Sequence, residues 1–288
     1  MDSSPAHYII KISCTARAGI VAAVTTYLAE KGCYISELAQ FDDEDTGQFF
    51  MRGVFRFGEG ASANIGLLGD EFAPIAKSFG MEWQIFSNAE PMRVLLMVSK
   101  FDHCLTDLLY RRGKGEIEMN ITAIVSNHLD LRPMAEREGI RFIYLPVTKD
   151  TKAAQEAELL RIVEETGTEL VVLARYMQVL SDDLCRKLLG RAINIHHSFL
   201  PGFKGAKPYH QAYERGVKLI GATAHYVTAD LDEGPIIEQE VQRVDHTCKP
   251  QDLVAIGRAT ETVALSRALK YHVQHRVFVN HDKTVIFR

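Results

Sequence analysis

The sequence predicts an α/β protein of two domains, a small antiparallel sheet with a βαββαβ order followed by a larger, mostly parallel sheet. Up to residue 86 the chain follows the order strand, helix, strand, strand, helix, strand. From residue 93 the predicted strands are short apolar runs without alternation, separated by helical patterns, which is typical of a doubly wound sheet. The polar, proline-containing segment 87–92 predicts a linker, so we expect domains at 1–86 and 93–288.

Local signals define the elements of both domains. In the front domain Arg17 to Gly19 opens a helix that Gly32 closes, and an acidic turn joins the two central strands. The predicted front strands are His7–Ser13, Tyr34–Phe41, Phe49–Phe57 and Met81–Phe86, with helices at Ile20–Glu30 and Ala63–Phe79. The predicted rear strands are Arg93–Val98, Ile121–Ser126, Phe142–Leu145, Leu170–Leu173, Ala192–Ile195, Leu219–Tyr226 and Pro235–Val244, with helices at Thr151–Thr166 and Pro250–His275.

Composition narrows the class of protein. The chain has 288 residues, 47% of them hydrophobic and 24% charged, and a net charge of -4, which gives no reason to expect nucleic acid or an anionic membrane as a partner. No apolar run approaches the ~20 residues of a membrane helix, and the first residues lack the order of a signal peptide. The five cysteines are scattered, with no CxxC pair, as expected of reduced thiols in a cytoplasmic protein.

The stretch from Ala192 to Gly205 contains the first candidate site. Asn194 and His196 lie two residues apart at the end of a predicted strand, so their side chains face the same way. An amide beside an imidazole can bind a carbonyl oxygen and its oxyanion, and the imidazole can move a proton near neutral pH. On these two residues alone, a turn-capping Asn and a structural His are equally good readings.

A second cluster follows the predicted strand that ends at Tyr226. Asp230, Asp232 and Glu233 lie in an acidic loop that Gly234-Pro235 terminates. One of these carboxylates could orient an imidazole or a water molecule, and Asp232, next to the Gly-Pro break, is the best candidate. A solvent-exposed turn explains the other two equally well.

Two other sites are not favoured. A metal centre built from His196, His197, His210 and His225 would lack a recognised ligand spacing, so no metal is expected. The first rear strand runs into Ser99 to Leu105 with no glycine before Gly113, and a phosphate-binding loop would be glycine-rich. A phosphorylated ligand is therefore not expected at that corner.

The segment 194–239, NIHHSFLPGFKGAKPYHQAYERGVKLIGATAHYVTADLDEGPIIEQ, resembles the catalytic core of the folate-dependent formyltransferase superfamily. The superfamily signature is Asn-x-His, followed by a loop that ends in Asp-x-Gly-Pro. The double His and the segment FDHCLTDLLYR at 101–111 resemble the hydrolytic, deformylase branch. The resemblance implies an ACT domain before a Rossmann-like formyltransferase domain, and hydrolysis of 10-formyltetrahydrofolate to formate and tetrahydrofolate, a reaction that would balance the one-carbon folate pool and supply formate for purine biosynthesis.

The resemblance also implies roles for individual residues. Its catalytic positions fall on Asn194, His196 and Asp232, and His197 would line the site behind them. The folate ring would lie between two segments, one made of Met177, Gln178, Val179 and Leu180 and the other of Val227, Thr228, Ala229 and Asp230. Folate is then the substrate, and no cofactor or metal is implied.

Two departures from the family pattern affect the function. Phe101-Asp102-His103 stands where the ribosyl-phosphate transferases carry glycines, which favours water as the acceptor. In the front domain Thr15 and Ala16 replace the Pro and Asp of the family's usual Cys-Pro-Asp-Arg-x-Gly, although Arg17 and Gly19 remain. We expect an amino-acid effector at the front domain, and the altered segment Cys14–Gly19 neither supports nor opposes this expectation.

The sequence leaves three hypotheses for the function. The first is a hydrolase in which Asp232 or His196 activates water; the second is a transferase that passes the formyl group to an amine; the third is a non-catalytic sensor of folate or amino acids. The presence of Asn194, His196 and Asp232 favours an enzyme. Because βαββαβ domains expose sheet edges that can pair between subunits, we also expect a homo-oligomer, a dimer or a tetramer.

Overall fold

The structure, a computed structural model, describes residues 6–58, 64–200, 202 and 208–288, which form two compact units. Pro201 and residues 203–207 of the predicted motif lie outside the described residues. The front unit comprises Met1–Glu90, His275–Asn280 and Val285–Arg288, and the rear unit comprises Pro91–Gln274 and His281–Thr284.

The front unit has the predicted βαββαβ order. It contains β1 (Tyr8–Thr15), α1 (Ile20–Glu30), β2 (Cys33–Asp43), β3 (Gln48–Phe57), α2 (Ile65–Phe79) and β4 (Glu82–Ser87). The strand order is β2-β3-β1-β4, and every pairing is antiparallel. The apolar faces of the helices and the sheet share one core, in which Ile12, Val24, Met51, Phe55 and Phe72 are fully buried. This arrangement is consistent with the expected ferredoxin-like domain.

The end of the chain differs from the predicted division, which assigned all of 93–288 to the rear domain. The last strands, β12 (Val277–Asn280) and β13 (Lys283–Ile286), were not predicted, and His275–Asn280 and Val285–Arg288 group with the front unit. Lys11 Nζ donates to the Val277 carbonyl at 2.7 Å, and the rings of Phe50 and Phe278 make an edge contact. These partners lie more than 200 residues apart in sequence, so no local pattern could reveal them.

The rear unit contains the predicted, mostly parallel sheet. The strand order is β11-β10-β9-β8-β5-β6-β7; β5 to β9 pair in parallel, and β10 is antiparallel to both β9 and β11. The elements are β5 (Met92–Val98), α3 (His103–Gly113), β6 (Met119–Ser126), α4 (Arg132–Arg137), β7 (Phe142–Tyr144), α5 (Lys152–Glu165), β8 (Leu170–Leu173), α6 (Asp182–Lys187), β9 (Ala192–His196), α7 (Pro208–Arg215), β10 (Leu219–Tyr226), β11 (Ile236–Arg243) and α8 (Pro250–Val273).

The ends of three strands determine where polar side chains meet. β8 ends at Leu173, two residues before Arg175, and its parallel neighbour β9 ends at His196, so both carboxyl ends lie at one edge of the sheet. Because β10 runs antiparallel, its residue His225 pairs with Asn194 of β9. A crevice at this edge therefore receives side chains from strands that are distant in sequence.

Two further observations concern the described residues as a whole. All five cysteines have free thiols, as predicted. Among the helices in the described ranges, none is both long enough and apolar enough to span a membrane.

The front unit is expected to lose stability in mild acid through His275. Burial, followed by the charges of Lys11 and Arg52, lowers the pKa of His275 from 6.5 to about 3, and its ring stacks on Phe86. Between about pH 6.5 and about pH 3 the unfolded chain binds a proton at His275 that the folded chain does not bind. The free energy of unfolding therefore falls as the pH drops through this range. Trp83 is the only tryptophan of the chain and packs on Phe72, so its fluorescence reports unfolding of this unit.

The measurement compares denaturant midpoints at about pH 7 and about pH 5 for the wild type and His275→Asn. Asn tolerates the left-handed backbone of position 275, where φ is 54°. The variant should be less stable at both values, because the stacking contact is lost, but less sensitive to acid. An equal acid sensitivity in both proteins would contradict the assignment.

Candidate active site

One cavity of about 280 Å³ lies at the carboxyl edge of the rear sheet. Every predicted site residue lines it, so the structure brings together segments that lie as far apart in sequence as Met177 and Asp232. The predicted residues on its wall are Met177, Gln178, Val179, Leu180, Asn194, His196, His197, Val227, Thr228, Ala229, Asp230 and Asp232. Of the histidines considered for a metal centre, His210 is exposed on α7 and does not line this cavity.

Asp232 contacts two imidazoles at the polar end of the cavity. His196 Nδ1 lies 3.2 Å from Asp232 Oδ2, and His225 Nε2 lies 3.6 Å from Asp232 Oδ1. A carboxylate only accepts hydrogen bonds, so His196 carries its proton on Nδ1 when it faces Asp232. The other ring nitrogen, Nε2, is then the basic one.

His196 Nε2 is one of the buried side-chain atoms that have no hydrogen-bond partner within the described part of the chain. The His196 side chain as a whole is only 5% exposed. A buried nitrogen without a partner costs free energy unless a ligand or water completes it. Because His196 lines the cavity, a molecule bound there can complete this hydrogen bond.

The ionised form of Asp232 is strongly favoured. Burial by itself raises the pKa of this carboxyl, but the hydrogen bond from His196 and the second imidazole, that of His225, outweigh burial, and the pKa lies well below its usual range. A carboxylate with such a low pKa is a poor base. It is well suited to hold a protonated imidazole and to fix the tautomer of a neutral one.

The backbone around Asp232 is strained in a way that aims the carboxylate. Asp232 has a φ of 58°, in the left-handed region that non-glycine residues rarely occupy. Gly234 is required two residues later, because a Cβ there would overlap the carbonyl of Tyr226. The Tyr226 N–H in turn donates to the Pro235 carbonyl at 2.9 Å. The Gly-Pro break therefore closes the loop tightly enough to hold Asp232 in place.

His225 is a site residue that the sequence did not identify. It is 2% exposed, its Nδ1 donates to the Tyr226 carbonyl at 2.8 Å, and its Nε2 lies 3.3 Å from Asn194 Nδ2. With a neutral imidazole, the amide of Asn194 donates to Nε2, and its second N–H stays available for a ligand. The available signal was a His at the start of the acidic-loop segment, but only the antiparallel pairing of β9 and β10 places it beside Asn194.

His197 lines the cavity next to His196, with the two ring centres 5.1 Å apart. Burial, and then the positive charges of Arg175 and His196, lower the pKa of His197 to about 4. The ring is therefore neutral at physiological pH. It can bind a ligand or water as a hydrogen-bond partner without adding a charge to the site.

The other end of the cavity is apolar and open. Met177, Val179 and Leu231 line it, although their side chains are 48%, 57% and 60% exposed. Large apolar side chains that converge on a cavity while exposed to water favour a flat, apolar ligand between them. In the described residues no hydrogen bond engages the backbone groups of Gln178–Leu180, so these groups are available to a polar ring edge.

Comparison with known proteins identifies the family of this chain. The family model for formyl transferase matches residues 92–269. A formyltetrahydrofolate deformylase of Corynebacterium sp. (strain P-1) is 51% identical, over 99% of this chain and 100% of the relative. The crystal structure of formyltetrahydrofolate deformylase from Burkholderia mallei is 54% identical with a TM-score of 0.95, over 99% of this chain and 100% of that one. The crystal structure of glycinamide ribonucleotide transformylase 1 from Symbiobacterium toebii is 27% identical with a TM-score of 0.66, and the match covers 70% of this chain and 97% of that one.

Proposed function

This chain belongs to the formyl transferase family and, within it, to the formyltetrahydrofolate deformylases, and we propose that its cavity hydrolyses 10-formyltetrahydrofolate to formate and tetrahydrofolate. The observation that carries the proposal is the unpartnered Nε2 of His196, buried on the cavity wall and backed by the ionised Asp232. Such a nitrogen can remove a proton from water and return it to a leaving group.

In the first step a water molecule attacks the formyl carbon while His196 Nε2 takes one of its protons. The low pKa of Asp232 favours His196 over Asp232 as the base, because Asp232 has little affinity for a proton. The imidazolium that forms is stabilised by the Asp232 carboxylate at Nδ1. The carbonyl oxygen becomes an oxyanion, and the free N–H of Asn194 donates to it.

In the second step the bond from the formyl carbon to N10 breaks. His196 Nε2 returns its proton to N10, because an arylamine anion is a poor leaving group. The carboxylic acid that forms loses a proton, so water has supplied one oxygen to formate and one proton to tetrahydrofolate. His196 and Asp232 return to their starting states without net change.

The apolar end of the cavity holds the folate ring in this proposal. The ring lies between Met177–Leu180 and Val227–Asp230, and its polar edge bonds to the free backbone groups of Gln178–Leu180. Its binding would cover the exposed side chains of Met177, Val179 and Leu231, and this apolar burial contributes affinity.

Water is preferred over an amine as the acceptor because of the loop after β5. Phe101, Asp102 and His103 form this loop, and His103 begins α3 and donates to Glu261 at 2.7 Å. A loop without glycine offers no close backbone cradle for the phosphate of an amine acceptor. The alternative of a transferase remains the competitor that the assay below tests.

The front unit serves regulation and assembly in this proposal. A cavity beside the start of α1 is lined by Ala16–Ala22, Gln40, Asp42 and Phe49, and no side chain caps that helix start. A helix start binds a carboxylate and Asp42 an ammonium group, so the proposed effector is an amino acid. Tyr34, Leu38 and Phe41 are exposed on the edge strand β2, which supports a homo-oligomer, a dimer or a tetramer.

The functional assay incubates the purified chain with 10-formyltetrahydrofolate and measures formate and tetrahydrofolate release. A chelator is present and no cofactor is added, because the mechanism uses only side chains and water. Single amino acids and amine acceptors are then added in turn, and the subunit count is measured by light scattering. Equal release of formate and tetrahydrofolate supports hydrolysis. A formylated amine in place of formate would contradict hydrolysis and support the transferase hypothesis. Free thiols agree with a cytoplasmic location, and fractionation of cells tests this location. The supply of formate for purine biosynthesis is tested by asking whether purine-synthesising cells that lack the gene require added formate.

Asn194→Ala is expected to lower kcat by roughly 10²–10³, because the oxyanion loses its side-chain donor. The KM for 10-formyltetrahydrofolate should change much less, since the folate ring binds at the other end of the cavity. Asn120→Ala, at an exposed position on β6 outside the cavity, is the matched control. A loss confined to KM would contradict an oxyanion role for Asn194.

A further inference from the structure

Arg175 is a cavity residue that the catalytic mechanism does not use. It follows the end of β8, has a φ of 65°, and is only 8% exposed. Its Nε is the other buried side-chain atom without a hydrogen-bond partner within the described part of the chain, and Arg175 and His196 both line the cavity. A guanidinium has five N–H donors, and the one on Nε makes no hydrogen bond to the described residues.

The nearest carboxylate does not satisfy Arg175. Arg175 Nε lies 3.3 Å from Glu261 Oε2, without hydrogen-bond alignment. The oxygens of Glu261 already accept from His103 Nε2 and from the Tyr209 hydroxyl, each at 2.7 Å. Although burial opposes its ionisation, these hydrogen bonds and the charge of Arg175 hold the pKa of Glu261 below its usual range. Glu261 therefore balances the charge of Arg175 while leaving its Nε donor without a hydrogen bond.

The surrounding residues hold the guanidinium in a fixed position. Its central carbon lies 5.1 Å from the centre of the Phe101 ring. Tyr209 packs against Gly257 of α8, where no Cβ could fit, and this close approach lets its hydroxyl reach Glu261. A rigid, charged and unsatisfied donor group on a cavity wall is a preorganised anion site.

We propose that Arg175 binds formate, the carboxylate product, at the polar end of the cavity before its release. The inference rests on the proposed function, because hydrolysis produces this anion in the same cavity. The two oxygens of formate match the paired N–H donors of a guanidinium, and His197 adds an uncharged ring beside them. Arg175 is thereby a product-binding residue that sets the affinity for formate and the order in which the products leave.

A divalent cation is a less favourable occupant of this corner. Donor atoms of His103, Cys104 and Glu261 lie within 4.8 Å of one another. However, burial raises the pKa of Cys104 well above its usual value, and a thiol ligates metals only after it has lost its proton. Arg175 contributes a positive charge beside Glu261, which repels a second cation. The charge of this corner therefore favours an anion.

The test measures formate in two independent ways with wild type, Arg175→Gln and Arg175→Lys. Product inhibition of hydrolysis by sodium formate gives an inhibition constant, and saturation-transfer NMR on the chain with tetrahydrofolate detects formate without turnover. Arg175→Gln should weaken formate inhibition by roughly ten- to a hundredfold, with a much smaller change in the KM for the folate substrate. Arg175→Lys keeps the charge and should recover part of the affinity. Arg132→Gln, at an exposed position on α4, is the control.

Each outcome decides the proposal. Unchanged formate inhibition and unchanged NMR signal in a folded Arg175→Gln variant would overturn it. A rise in KM with unchanged formate affinity would also overturn it and assign Arg175 to the carboxylates of the folate. If Arg175→Gln does not fold, a wild-type crystal grown with tetrahydrofolate and formate decides, since the formate must lie within hydrogen-bond distance of Arg175. Absence of hydrolysis in the wild type would refute the proposed function, whereas the NMR measurement would still report on the anion site.

Discussion

Replacing Asp232 with asparagine is expected to lower kcat by roughly 10³–10⁴ while the chain stays folded. The carboxylate accepts a hydrogen bond from His196 Nδ1 at 3.2 Å and so leaves Nε2 as the basic nitrogen toward the cavity. An asparagine amide can donate to Nδ1, and the proton of His196 would then move to Nε2. The imidazole would face the formyl group as a donor and could not accept a proton from water.

The measurement combines kcat and KM with a test of folding by circular dichroism. The KM for 10-formyltetrahydrofolate should change little, because the folate ring contacts other residues. Asp183→Asn is the matched control, since Asp183 is exposed on α6 and pairs with Lys187 away from the cavity. If a folded Asp232→Asn variant turns over at a rate near that of the wild type, Asp232 has no part in the mechanism.

Replacing His196 with asparagine is expected to lower kcat by roughly 10²–10⁴, because base and acid are lost together. The pH dependence gives a second readout. Asp232 stays ionised far into acid, and the pKa of His197 is lowered to about 4, so neither group titrates near neutral pH. An acid limb of kcat/KM above about pH 5 therefore does not come from Asp232 or His197, and it should vanish in the residual activity of the variant if His196 is the base.

Two controls separate this effect from a structural one. His210→Asn removes an exposed imidazole from α7 and should retain the rate and the pH profile of the wild type. His197→Asn should keep the acid limb, because His197 is already neutral in this range. An acid limb that persists in His196→Asn and disappears in His197→Asn would exchange the roles of the two histidines.

Local sequence patterns predicted the elements and much of the site for identifiable reasons. The alternation of a strand places Asn194 and His196 on the same side, and the Gly-Pro break after the acidic loop marked Asp232 among three carboxylates. The predicted folate-binding segments, 177–180 and 227–230, lie on the wall of the same cavity.

What the sequence did not reveal depends on pairing between distant segments. His225 reaches Asn194 only because β10 runs antiparallel to β9, and strand direction at the edge of a sheet cannot be read from a single strand. Arg175 lies in a loop with no local signal, and its buried Nε without a hydrogen bond depends on Glu261 of a helix more than 80 residues later. The grouping of His275–Asn280 with the front unit depends on contacts of the same kind.

The central claim is that water is the acceptor of the formyl group, and oxygen-18-labelled water tests it directly. The wild-type chain is incubated with 10-formyltetrahydrofolate in labelled water, with ammonium and small primary amines present as competing acceptors, and the formate is analysed by mass spectrometry. The mechanism predicts one labelled oxygen in each formate molecule and one formate for each tetrahydrofolate. Tetrahydrofolate released together with a formylated amine, and without labelled formate, would contradict it.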